Sequence, residues 1–124
     1  MKQLKLILIF IIVLITSSFK SVYSQSNENL IVTVKYKTQP GKDIAALIGL
    51  KNLIEIVKKE PHYVNIIVHL DADDKSNILL YEQWSNEVYY KGDHLKTKHL
   101  QQFMIDSRVF LAGPPEITFW TIAK

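Results

Sequence analysis

The chain has 124 residues, with 15 Lys and Arg, 12 Asp and Glu and no cysteine. The missing cysteine excludes disulfides, thiolate catalysis, Cys-ligated zinc and a lipid-modified cysteine at a processed terminus. The net charge of +3 is a property of one end of the chain, not of the folded part.

Met1 to Lys5 is short and basic, Leu6 to Ile15 is an unbroken apolar run, and Thr16 to Ser24 is polar with small residues. This is the pattern of a secretory signal peptide over residues 1–24, with Val22 and Ser24 at the positions a signal peptidase inspects. The run is well short of the roughly 20 apolar residues that span a bilayer, so no stable membrane span is expected after cleavage. An uncleaved anchor is the alternative, and it too leaves the rest outside the cytoplasm. The expected location is secreted or periplasmic. Removing Lys2, Lys5 and Lys20 leaves a balanced chain whose sole arginine is Arg108. Nucleic acid is therefore not expected as a partner, because its footprint needs clustered Lys and Arg. The remaining 100 or so residues form one domain, able to bury roughly 60–70% of the surface its unfolded chain exposes.

Residues 25–29 are polar and expected to be disordered; the domain runs from 30 to 124. Leu30, Val32, Val34 and Tyr36 alternate with Ile31, Thr33, Lys35 and Lys37, which predicts a first strand. Thr38 to Gly41 ends it, and Asp43 is a candidate helix cap. Leu47, Leu50, Leu53, Ile54 and Val57 recur at helical spacing until Pro61 closes the helix. A second strand covers Tyr63 to Leu70, with Val64, Ile66, Val68 and Leu70 expected on one face and Tyr63, Asn65, Ile67 and His69 on the other. A polar turn leads to a third strand in which Ile78, Leu80, Glu82 and Trp84 share a face. Ser85-Asn86 offers a cap for a short helix ending near Leu95, which Gly92 can break. Thr97 can cap a further helix with Leu100, Phe103, Met104, Ser107 and Phe110 along one side, Leu100, Phe103 and Met104 being expected core. Gly113-Pro114-Pro115 stops it, and Ile117 to Ile122 supplies the last strand.

The order strand, helix, strand, strand, helix, helix, strand predicts an α+β, ferredoxin-like split βαβ fold with a four-stranded antiparallel sheet and helices on one face. The opposite face carries Ile31, Tyr63, Ile67, Leu79, Tyr81 and either Phe119 or Trp120. That is a large apolar patch to leave in water, so a homodimer packed through the sheet face is expected.

"YEQWSNEVYYKGDHLKTKHLQQF", Tyr81 to Phe103, resembles the antibiotic biosynthesis monooxygenase (ABM) domain: an aromatic-Glu-x-Trp strand end, a short helix ending in His-Leu, and a second helix opening near a His. "VKYKTQPGKD", Val34 to Asp43, resembles that family's first strand and Pro-Gly turn. The resemblance implies a dimeric α/β barrel with a pocket between sheet and helices. It also implies a monooxygenase or quinol oxidase, exported here by the N-terminal pattern, that needs no cofactor and acts with dioxygen on a small aromatic or hydrophobic compound. Trp84, His94 and Glu82 are the candidate catalytic residues; Tyr89, Tyr90, His99 and Phe103 are candidate substrate contacts. His94 matches the family histidine, and late in its helix it also reads as an ordinary helix-end residue. Trp84 reads equally as core. Glu82, sharing the Trp84 face, is expected to be buried and to need a partner or a raised pKa, with His or Lys from the following helices as that partner. The haem-degrading members share an Asn on the first strand; that position is Val34 here, and no Asn lies between Leu30 and Gly41. No metal site is expected, since His94 and His99 are five residues apart and His62 and His69 seven. Two alternatives keep the same fold: a non-catalytic module binding a small ligand, or a dimerisation surface whose pocket is packed solid by Trp84, Tyr89 and Phe103.

Overall fold

The structure, a computed structural model, describes residues 29–124; the expected signal peptide and most of the polar segment after it lie outside the described residues. Strand β1 (Leu30–Lys37) pairs with β3 (Asn77–Trp84) on one side and β4 (Glu116–Trp120) on the other, and β2 (Tyr63–Leu70) flanks β3. All three pairings are antiparallel, in the order β2-β3-β1-β4. Helix α1 (Asp43–Val57), the short α2 (Glu87–Lys91) with a 3-10 turn over Asp93–Lys96, and α3 (Lys98–Asp106) complete the expected α+β arrangement.

The alternation in β1 and β3 does what it predicts. Leu30, Val32, Val34 and Tyr36 are buried, as are Ile78, Leu80, Glu82 and Trp84. Helix α1 covers them with Ala46, Leu50, Leu53, Ile54 and Val57, each larger side chain contributing roughly 1.5–3 kcal/mol of burial. Gly49 is what lets Phe110 lie on this helix, since a Cβ there would stand 2.7 Å from its ring. The turn before α1 puts Gly41 at φ 72°, which glycine alone adopts without strain. Asp43 is the first residue of α1 rather than its cap; the capping position is Lys42, which makes no side-chain cap bond. A carboxylate in a first turn still complements the dipole.

Three expectations change. A register shift between Tyr63 and Asn65 places Tyr63 opposite Trp84, with the rings edge-on at 6.1 Å. Tyr63 therefore joins the helix side, and Val64 is left exposed; a bulge reverses facing because the side-chain period is two. Met104 is 57% exposed, because α3 presents only Phe103 squarely to the core. The last strand ends at Trp120, and it is Trp120, not Phe119, that lies on the outer face beside Ile31, its indole N–H donating to Thr33 Oγ1 at 2.9 Å. The outer face thus presents Ile67, Leu79, Tyr81 and Trp120, while Ile31 on the same face is itself buried at 5% exposure.

Among the described residues, no helix is long and apolar enough to cross a membrane.

Candidate functional site

The end of α2 reaches β4, Tyr90 meeting the Phe119 ring edge-on at 5.9 Å and Lys91 Nζ lying 4.4 Å from its centroid, but Ile117 and Phe119 stay partly exposed on the helix side of the sheet. Beside them the space between sheet and helices is open, a cavity of about 620 Å³. This is within the usual range for small-molecule sites, and it is not the solidly packed interior of an assembly-only domain. Val34, Leu80, Ile54 and Phe103 form much of its apolar wall, while Glu82, Tyr36, Tyr90, His94, Ser107 and Arg108 bring the polar atoms.

Glu82 reaches this position because the β3 alternation points it inward one step before Trp84. The Trp84 indole N–H donates to Glu82 Oε2 at 2.8 Å. The partner is thus a neighbour on the same strand, with the Tyr90 hydroxyl also facing the carboxyl, rather than a His or Lys from the helices. Burial pushes the Glu82 carboxyl from the usual 4.5 up to about 7; the Trp84 bond opposes the rise and the Glu60 charge adds to it. Burial, with the Glu82 charge, also pushes the hydroxyls of Tyr36 and Tyr90 up, so both remain protonated donors.

Trp84 is fully buried and does not line the cavity; it stands behind Glu82. His94 lines the cavity, its ring 4.7 Å from Trp84 and stacked on Tyr90 at 4.8 Å. Of the candidate substrate contacts, Tyr90 and Phe103 line the cavity; Tyr89 and His99 do not.

Tyr89 and His99 converge instead on Glu60, a residue that no sequence pattern singled out. Glu60 Oε1 accepts from the Tyr89 hydroxyl at 2.8 Å and His94 Nδ1 at 2.9 Å, and Oε2 accepts from His99 Nε2 at 2.7 Å. Its side chain is only 5% exposed. Burial opposes ionisation, but the bonds from His94, His99 and Tyr89 outweigh it and hold the carboxyl below its ordinary value. A carboxylate only accepts, so His94 carries hydrogen on Nδ1 and His99 on Nε2. That fixes the His94 ring orientation and leaves Nε2 as its second functional atom. One signal for Glu60 was available: it follows Lys58-Lys59 at the carbonyl end of a helix, where the dipole disfavours a carboxylate. Two imidazoles do meet there, yet among the described residues no group of three or more ligands is arranged to hold a metal.

The family profile described as antibiotic biosynthesis monooxygenase matches residues 29–105. The chain belongs to the ABM family. Solved structures agree on the fold. The ABM chain is similar to PA3566 of Pseudomonas aeruginosa (TM-score 0.71, 20% identity, covering 78% of this chain and 96% of that one). It is also similar to a conserved protein of Methanosarcina mazei Go1 (0.69, 22%, 80% and 97%), and to a structure named antibiotic biosynthesis monooxygenase (0.69, 16%, 77% and 99%). No curated protein matches the chain.

Proposed function

We propose that this ABM protein is an exported, homodimeric oxygenase that oxidises a small aromatic compound with dioxygen and without a resident cofactor. The observation that carries the reading is Glu82: a buried carboxyl on the wall of an apolar cavity, with a pKa of about 7. A base poised near neutral pH is matched to removing a proton from a phenolic or similarly acidic group. The resulting electron-rich anion passes one electron to dioxygen and recombines with the superoxide formed. For an activated methylene, one oxygen atom of dioxygen ends in the new carbonyl and the other leaves as water, the methylene carbon supplying both electrons and both protons of that water. For a quinol the same first steps end in quinone and hydrogen peroxide. Tyr36 and Tyr90 supply donors to the developing anion, His94 offers its second ring nitrogen, Nε2, as an acceptor, and Trp84 acts by holding Glu82 rather than by touching substrate.

Oxygen uptake over a panel of quinols and anthrone-like phenols, aerobic against anaerobic, tests this. Oxygen-dependent turnover that falls at least about 100-fold in a His94→Ala, Trp84→Ala double variant is expected; no uptake with any aromatic, or full activity in the variant, overturns it. A cavity so largely apolar also suits the second reading, a carrier of an unreacted ligand, which native mass spectrometry reveals as a co-purified molecule released unchanged.

The export reading rests on the pattern of residues 1–24, and the dimer on the outer sheet face. Ile67 at 45% and Trp120 at 53% exposure flank Tyr81 and Leu79 there, a patch that a second copy would cover. A Tyr81→Glu substitution puts a charge into that face and, across a two-fold contact, opposes it to itself. Sedimentation is expected to show a dimer for the parent protein and monomer for Tyr81→Glu at micromolar concentration; a monomeric parent refutes the dimer.

A further inference from the structure

We infer that the cavity has a second, anion-binding end at Arg108, so that its ligand is an elongated amphiphile: an ionisable hydroxyl at the Glu82 end, an apolar body, and a carboxylate or similar anion at the other. The inference deepens the proposed function and rests on it for the identity of the Glu82 end.

Arg108 is the only arginine in the chain. It lines the cavity, and among the described residues no lysine does and Glu82 is the only carboxylate in the lining. Among the described residues its guanidinium has no ion-pair partner. The nearest acid in sequence, Asp106, instead takes a hydrogen bond from Gln102 Nε2 at 2.8 Å.

Its place along the sheet is fixed by backbone bonds. The Gln39 side-chain amide donates to the carbonyl oxygens of Arg108 at 2.9 Å and Leu111 at 3.0 Å, while the Gln39 N–H donates to the Phe110 carbonyl at 2.9 Å. Thr38 bridges Leu111 in the same place. The Arg108 backbone is therefore held beyond the far end of β1, with the residue exposed at that mouth of the cavity, whereas Glu82 sits opposite Val32 near the start of the strand. Five residues of strand, Val32 to Lys37, separate Glu82 from the end of β1, roughly 17 Å at about 3.3 Å per residue, with Arg108 beyond that end, and the long side chains reach inward over part of that span. Between them the wall is Val34, Leu80 and Phe103, with no charge. A planar guanidinium with its donors free pairs with a carboxylate in a fork that no lysine reproduces.

The test uses binding, measured by titration calorimetry near neutral pH, so that failed oxygen chemistry and a failed anion subsite are separately visible. The probes are 4-hydroxyphenyl alkanoic acids of increasing chain length and their methyl esters. In the parent protein the longer acids are expected to bind about tenfold tighter than their esters, a gap of about 1.4 kcal/mol, while the shortest acids show no preference because they cannot reach both ends. Arg108→Gln is expected to erase the preference and leave ester affinity unchanged, and Arg108→Lys to keep part of it. Equal affinity of acid and ester at every length, or an undiminished acid preference in Arg108→Gln, overturns the inference.

Discussion

Replacing Glu82 with glutamine is expected to abolish activity and, at alkaline pH, to stabilise the protein. The folded-state carboxyl holds its proton up to about pH 7, against the usual 4.5. Below 4.5 both folded and unfolded chains are protonated at this position, and the residue adds no pH dependence. Between 4.5 and 7 the unfolded chain has released its proton and the folded one has not, so the folded state binds more protons and stability falls as pH rises. Above 7 both are ionised and the loss is complete, about 3 kcal/mol for a shift of this size. The Glu82→Gln variant keeps an acceptor for the Trp84 N–H and has no charge to bury, so its melting temperature at pH 8 should exceed that of the parent by on the order of 10 °C, with the gap closing toward pH 4.5. Activity runs the other way. As a base Glu82 works ionised, so kcat/KM should rise through an acid limb near pH 7 and fall about 100- to 10,000-fold in Glu82→Gln. A variant no more stable than its parent at pH 8 would show that burying the charge costs the fold nothing, and an active one would show that the carboxyl is not the base.

Glu82 was legible in the sequence because a strand encodes burial by alternation: Ile78, Leu80 and Trp84 commit the residue between them to the same side. The split βαβ order was legible for a similar reason, since each element carries its own period and stop signal. What could not be read are features that depend on how elements meet. The bulge that turns Tyr63 inward leaves no mark in a run of mostly apolar residues. Extended backbone at Thr97 separates the 3-10 turn that carries His94 from α3, which carries His99; the breaks at Gly92 and Thr97 were legible, but not that the two imidazoles, five residues apart, turn onto one carboxylate. Glu60 lies in a turn that locally reads as solvated, and its three donors come from 29, 34 and 39 residues further on. Short-range periodicity holds no record of such a convergence. For Tyr89 and His99 the aromatic or imidazole character was visible, but not that both turn away from the cavity to hold Glu60.

Glu60→Ala is expected to be the most destabilising single change in the site, by about 3–5 kcal/mol at neutral pH, because it strands a tyrosine hydroxyl and two imidazole N–H groups in a largely buried place. Glu60→Gln should lose less, since its carbonyl oxygen still accepts from Tyr89 and His94. The pH dependence has the opposite sign to that of Glu82. The Glu60 carboxyl is held below its ordinary value, so its stabilising bonds are fully present above the unfolded-state pKa and are lost as pH falls through the lower folded-state value. Parent and Glu60→Ala melting curves should therefore converge in acid and stand furthest apart from about pH 5 upward. Together the two carboxylates place the parent's stability maximum near pH 5, between the loss at Glu60 below and the loss at Glu82 above. The two groups are also coupled, for beyond burial the Glu60 charge helps raise the Glu82 pKa. Neutralising it in Glu60→Gln should move the acid limb of kcat/KM below pH 7 while leaving most of the fold intact. A scaffold acting only through packing would lower the melting temperature and leave that limb where it was, so an unmoved limb in Glu60→Gln would reduce Glu60 to a structural brace.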